Sequence, residues 1–100
     1  MSAIAKGHVH WLIADGYIPP VSSGDLESHE SICVLNCYEQ DAELTMTVYF
    51  EDRPPLENIK AVVPGRRTKH LRTSLLRAGD EAIPVGVPYA LEVVSTVPVV

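Results

Sequence analysis

The sequence predicts an all-β protein, an antiparallel β-sandwich or barrel, on three observations. Polar and apolar residues alternate with a period of two through Ala42, Leu44, Met46, Val48 and Phe50 and their neighbours Glu43, Thr45, Thr47, Tyr49 and Glu51. Short apolar runs recur between breakers at Asp15-Gly16, Pro19-Pro20, Ser22-Ser23-Gly24, Pro54-Pro55, Pro64-Gly65, Gly79-Asp80 and Pro84. Helical periodicity is scarce. Alternation sends successive side chains to opposite faces of a strand, so it marks a sheet with one buried side. Many short strands joined by tight turns belong to sandwiches and barrels rather than bundles.

In chain order, Val9 to Ala14 is the first strand, with Trp11 set among apolar neighbours and therefore in the core. His8 and His10 share a face if Val9 is extended, a two-ligand metal edge. Nothing completes a coordination sphere around them, and metal binding needs a full ligand set, so exposed or hydrogen-bonded imidazoles are expected. Tyr17 lies between Asp15-Gly16 and Ile18-Pro19-Pro20, on a loop stiffened by proline, where an aromatic ring suits a ligand or subunit contact.

Ser28 to Asn36 is the next strand. Ile32 and Val34 face opposite to Cys33 and Leu35, which predicts cover on both faces. His29 and Glu30 point to opposite sides, and adjacency in sequence is not adjacency in space. Cys33 and Cys37 are expected on this one strand, about 13 Å apart and beyond disulfide reach, as free, half-buried thiols in a reducing compartment. Ala42 to Phe50 follows as the clearest strand, then Ile59 to Val63. Thr73 to Ala78 reads as one helical turn stopped by Gly79. Tyr89 to Val94 and Val97 to Val100 are two final strands, the last an apolar edge that invites another chain.

Charge picks out one segment. The formal net charge is -5, yet Arg66-Arg67-Thr68-Lys69-His70-Leu71-Arg72 holds four of the eight Lys and Arg residues. Following Pro64-Gly65, it is expected to leave a turn and continue as a strand. Arg67, Lys69 and Leu71 then share one face, and Arg66, Thr68, His70 and Arg72 the other. Guanidinium forks with a hydroxyl and an imidazole suit a carboxylate, phosphate or polyhydroxylated ligand. Ion pairing with the acidic majority, across strands or subunits, is an equally open reading.

Composition narrows the classes. One hundred residues with 46% apolar content make one domain, residues 1–100. No run reaches the roughly 20 apolar residues of a membrane span, and Met1 to Lys6 lacks a secretory signal, so a cytoplasmic location is the expectation. There is no G-x-S-x-G, no phosphate-cradling glycine loop and no nucleophile grouped with a base, so enzyme activity, a cofactor and a metal site are not expected. A nucleic-acid-binding regulator using the Arg66–Arg72 run is the alternative to ligand or partner binding, with the acidic remainder against it.

Several segments together are similar to the sensory rhodopsin transducer family. They are Ala14-Asp15-Gly16-Tyr17-Ile18-Pro19-Pro20, Ser28-His29-Glu30-Ser31 leading into Cys33-Val34-Leu35-Asn36, and Val63-Pro64 followed by Arg66-Arg67-Thr68-Lys69-His70 and Arg72. Val48-Tyr49-Phe50 with Asp52, and Val97-Pro98-Val99-Val100, match in character and order. The resemblance runs from about Trp11 to Val100. It implies a soluble cytoplasmic β-sandwich of jelly-roll-like topology, like carbohydrate-binding modules in fold, assembled as a homotetramer. It further implies signal relay from a membrane sensory rhodopsin, or a response to a sugar or other small polar ligand. The family's polar positions carry onto Tyr17, His29, Glu30, Arg66, Arg67, Thr68, Lys69, His70 and Arg72, expected near one end of the sandwich or at a subunit boundary. His8-Val9-His10 is not a family hallmark. Family members also continue into a basic segment and C-terminal tail that this sequence does not contain.

Overall fold

The computed structural model describes residues 6–20 and 30–100. His29 and Ser28 lie outside the described residues. Eight strands are described, in the order β1 (His8–Gly16), β2 (Ser31–Asn36), β3 (Ala42–Phe50), β4 (Leu56–Val63), β5 (Arg67–Arg72), β6 (Arg77–Ala78), β7 (Glu81–Ala82) and β8 (Tyr89–Val99). The only helical piece among the described residues is a 3-10 turn, Thr73–Leu75, at the position where a helical turn was expected. No described helix is long and apolar enough to cross a membrane.

The strands form a four-stranded sheet in the order β1-β8-β3-β4, a two-stranded sheet β2-β5 and a small hairpin β6-β7, all antiparallel. β8 lies between β1 and β3 and organises the larger sheet. The alternation read in β3 is realised: Ala42, Leu44, Met46 and Val48 are fully buried. They meet Ile59 and Val63 of β4, Leu91 and Val93 of β8, and Val34 and Leu71 of the second sheet in one core.

Several boundaries differ from the sequence reading. Tyr89 to Val99 is one eleven-residue strand rather than two. It stays continuous by bulging: His8 pairs with Val99 while His10 pairs with Val94, and the extra length accommodates Pro98. β4 begins at Leu56 because a register shift between Met46 and Val48 absorbs Glu57 and Asn58. Asn58 has φ 60° there, a left-handed conformation that asparagine tolerates better than most residues. β2 is covered on one face only: Val34 and Asn36 are buried, while Cys33 and Leu35 are exposed. Cys37 lies just past the strand and is half-buried; Cys33 is an exposed thiol rather than a half-buried one.

Two connections fix how the sheets sit together. Leu35 and Val100 exchange both backbone hydrogen bonds, at 2.9 and 3.0 Å, so the chain leaving β8 crosses to the second sheet. Asn36 is fully buried, and its side-chain amide donates to the carbonyls of Gln40 at 2.7 Å and Val63 at 3.2 Å, while its Oδ1 accepts from the Tyr38 N–H at 3.0 Å. On the other side, Trp11, Ile32, Cys33, Val34, Val93 and Val99 line an open apolar cleft. Trp11 is therefore half-buried rather than enclosed, its indole N–H donating to the Val99 carbonyl at 2.9 Å.

Candidate functional site

The basic run starts in the β4–β5 turn. Gly65 has to be glycine, because a Cβ there would collide with the Glu39 carbonyl. Its N–H donates to Asp41 Oδ1 at 2.9 Å, and the Arg66 N–H donates to the Tyr38 carbonyl at 2.8 Å. The turn is thus fastened to the β2–β3 connection. Arg66 has φ 56°, left-handed backbone that costs a non-glycine residue on the order of 1 kcal/mol.

The cations of this turn find backbone oxygens. Arg67 Nη1 donates to the Arg66 carbonyl at 3.1 Å, and Lys69 Nζ to the Val62 carbonyl at 3.1 Å. Among the described residues, ion pairs join His10 to Glu92 and Arg53 to Asp52, and none involves Arg66, Arg67 or Lys69. Arg66, Arg67 and Lys69 stand exposed with no carboxylate partner among the described residues. Alternation along β5 holds: Leu71 turns inward and is buried, while Thr68, His70 and Arg72 stand on the outer face beside Leu35, Cys33 and Ser31, their register partners.

A second polar group lies at the far end of β5. The Glu30 carboxylate accepts the Tyr17 N–H at 3.2 Å and the Tyr89 O–H, and the Glu30 carbonyl accepts the Thr73 N–H at 2.8 Å and hydroxyl at 3.0 Å. Burial, then the hydrogen bond to Glu30, pushes the Tyr89 phenol up to about 12, so it acts as a donor. Gly16 is confined by the same ring, since a Cβ there would overlap Tyr89. The sequence-derived set is therefore spread out. Tyr17 and Glu30 meet at one end, Arg66 and Arg67 lie at the other, and Thr68, Lys69, His70 and Arg72 run between them.

This sheet order and hairpin frame a comparison with known proteins. A family model described as Anabaena sensory rhodopsin transducer matches residues 6–100. The chain belongs to this family. A solved structure titled Anabaena sensory rhodopsin transducer is 38% identical, with a TM-score of 0.86, covering 98% of this chain and 94% of that one. A crystal structure of Thermotoga maritima 1070 is 34% identical, with a TM-score of 0.82, covering 93% of this chain and 75% of that one. No curated protein matches the chain.

In this transducer family member one polar cluster went unread in the sequence. On the outer face of the larger sheet, Glu92 accepts from Tyr49 Oη at 2.6 Å and bonds His10 Nε2 at 2.7 Å. The Tyr49 hydrogen bond, then that of His10, holds the Glu92 carboxyl below its ordinary value, and Glu92 in turn raises the Tyr49 phenol. Three strands contribute one residue each, so only the strand order could have revealed it. His8 turns instead to an edge contact with Trp11, ring centroids 5.4 Å apart, so the two histidines do not act as a pair. No three His, Cys, Asp or Glu side chains among the described residues group closely enough to hold a metal ion.

Proposed function

We propose that this protein is a soluble, cytoplasmic signal transducer that works by non-covalent binding, with the β4–β5 hairpin as its anion-facing contact surface. The supporting observation is the exposure of Arg66, Arg67 and Lys69, with no carboxylate partner among the described residues, on a chain of net charge -5. Two exposed guanidinium groups at a fastened turn suit a carboxylate or phosphate, which they hold with paired N–H donors. The chain acts as one domain, and self-association into a homotetramer would present four such hairpins. The similarity to a sensory rhodopsin transducer makes the cytoplasmic face of a membrane sensory rhodopsin the first partner to try. A sugar phosphate or other small polar anion is the ligand of the same chemistry. Tyr17, Glu30, Thr68, His70 and Arg72 are proposed as flanking contacts, and His29 joins them from outside the described residues.

A thermal-shift panel of sugars, sugar phosphates and small carboxylates, run beside sedimentation with rhodopsin-containing vesicles, tests this reading. A ligand at about a hundred times its dissociation constant adds nearly 3 kcal/mol, a shift of several degrees for a domain of this size. The Arg66→Ala, Arg67→Ala variant should lose the shift or the vesicle binding while keeping its fold. Binding that survives both substitutions would reject the hairpin as the contact surface. Binding only to duplex DNA, weakening steeply with salt, would favour the nucleic-acid reading instead.

A further inference from the structure

The two layers of the sandwich differ in charge. On the outer face of the larger sheet, β3 and β8 present Glu43 and Glu92. β2 and β5 together contain no Asp or Glu, although the chain has thirteen. β5 contributes Arg67, Lys69, His70 and Arg72, and the turn before it adds Arg66. The carboxylates nearest in sequence are Glu30, held by Tyr17 and Tyr89, Asp41, held by the Gly65 N–H, and Glu39, exposed in the β2–β3 connection.

The outer face of this small sheet is also apolar in part. Along β2 it presents Ser31, Cys33 and Leu35, and opposite them on β5 stand Arg72, His70 and Thr68, all exposed. Val100 exchanges two backbone hydrogen bonds with Leu35, and residues so opposed carry their side chains on one face. Leu35 is 42% exposed and Val100 55%. An apolar row thus runs alongside a basic strand.

Three kinds of anion suit such charge, and the shape of the surface separates them. A small anion needs donors that converge in a concavity. The clefts lined by Trp11, by Tyr49 and Tyr89, and by Lys60 and Thr96 contain none of the β5 cations. Single-stranded nucleic acid needs aromatic platforms for its bases, and neither β2 nor β5 holds Phe, Tyr or Trp. A bilayer needs an open surface with cations for headgroup phosphates and aliphatic side chains for the boundary beneath them. Leu35 and Val100 supply the aliphatic part. The net charge of -5 does not oppose this contact. Packed sheets lie about 10 Å apart, roughly one Debye length at 0.1 M salt, so Glu43 and Glu92 beyond the core are largely screened from it.

We propose that the outer face of the β2–β5 sheet, together with the Arg66 turn, docks on a bilayer containing anionic phospholipid. This rests on the reading of that turn as an anion-facing contact and names the anion as a headgroup phosphate. Co-sedimentation with vesicles of phosphatidylcholine alone, or of equal parts phosphatidylcholine and phosphatidylglycerol, tests it. Free glycerol phosphate in a thermal-shift assay is the soluble arm. The wild type should pellet with the anionic vesicles only. Each cation at an anionic leaflet is worth roughly fivefold in affinity, so the Arg66→Ala, Arg67→Ala variant should bind at least about tenfold more weakly. Leu35→Glu keeps the backbone bonds to Val100 but sets a carboxylate against the leaflet, and it should weaken binding by a similar factor. His70→Glu replaces it if circular dichroism shows that Leu35→Glu does not fold. Pelleting that survives these glutamate substitutions overturns the assignment of the face. A wild type that shifts with glycerol phosphate but never pellets overturns the bilayer and leaves the turn as an anion contact. A wild type that does neither overturns both.

Discussion

Arg66 occupies backbone that glycine adopts freely, and it does so next to Gly65, which has no choice. In the proposed function that cost is offset by the anion the side chain holds. Arg66→Gly should therefore raise stability by about 1 kcal/mol in chemical denaturation, since it relieves the left-handed strain. The same substitution should weaken binding of the anionic partner. A loss of stability would show that the guanidinium supports the fold. Tyr89 sets a second expectation, in pH. Its phenol is raised in the folded state to about 12 from an ordinary 10.0, so its contribution is fully present below pH 10 and is lost as pH rises toward 12. Denaturation midpoints followed across that window should fall, and Tyr89→Phe should flatten the fall. An unchanged slope would assign the alkaline loss to other groups.

β2 and its exit turn depend on Asn36, an amide that satisfies carbonyls from both the β2–β3 connection and β4. Its truncation strands buried acceptors and leaves a void, so Asn36→Ala should cost about 2–3 kcal/mol in urea denaturation. A cost below about 0.5 kcal/mol would mean that the neighbouring carbonyls find other donors. This element also marks where sequence reasoning succeeds and stops. β3 was readable because its alternation is a direct record of one buried and one wet face. The β4 start was hidden because Glu57 and Asn58 sit in a bulge, where two residues oppose one and the period of two is broken. β2 looked covered on both sides because Cys33 and Leu35 are apolar, but no described element packs on their face. The chemistry of the basic run was legible from composition. That Arg66, Arg67 and Lys69 meet no described carboxylate was not, since that depends on where the acidic residues end up in space. Glu92 with Tyr49 and His10 was invisible for the same reason: it exists only once β8 is inserted between β1 and β3.

At the scale of the whole molecule, the chain spans 51 × 33 × 23 Å, with charge distributed unevenly along it. Asp15, Glu30 and Glu51 line the clefts beside Tyr89, while Arg66 and Arg67 lie at the opposite end of β5. Salt should therefore act with opposite signs on the two proposed contacts. Raising ionic strength screens repulsion between acidic copies and should strengthen self-association, but it should weaken anion binding at the hairpin. Sedimentation and ligand titration over one salt series would show this crossing; parallel trends would mean that one surface serves both purposes. The position of β8 also has a consequence for biosynthesis. β1 is made first among the strands, yet its only described sheet neighbour arrives roughly 70 residues later, and β3 likewise waits for β8 on one side, a pattern of distant pairings that folds in milliseconds to seconds. Until then the nascent chain holds Trp11, Ile13 and the apolar face of β3 in the open. A ribosome-tethered chain stopped before Tyr89 should therefore be cut readily by protease.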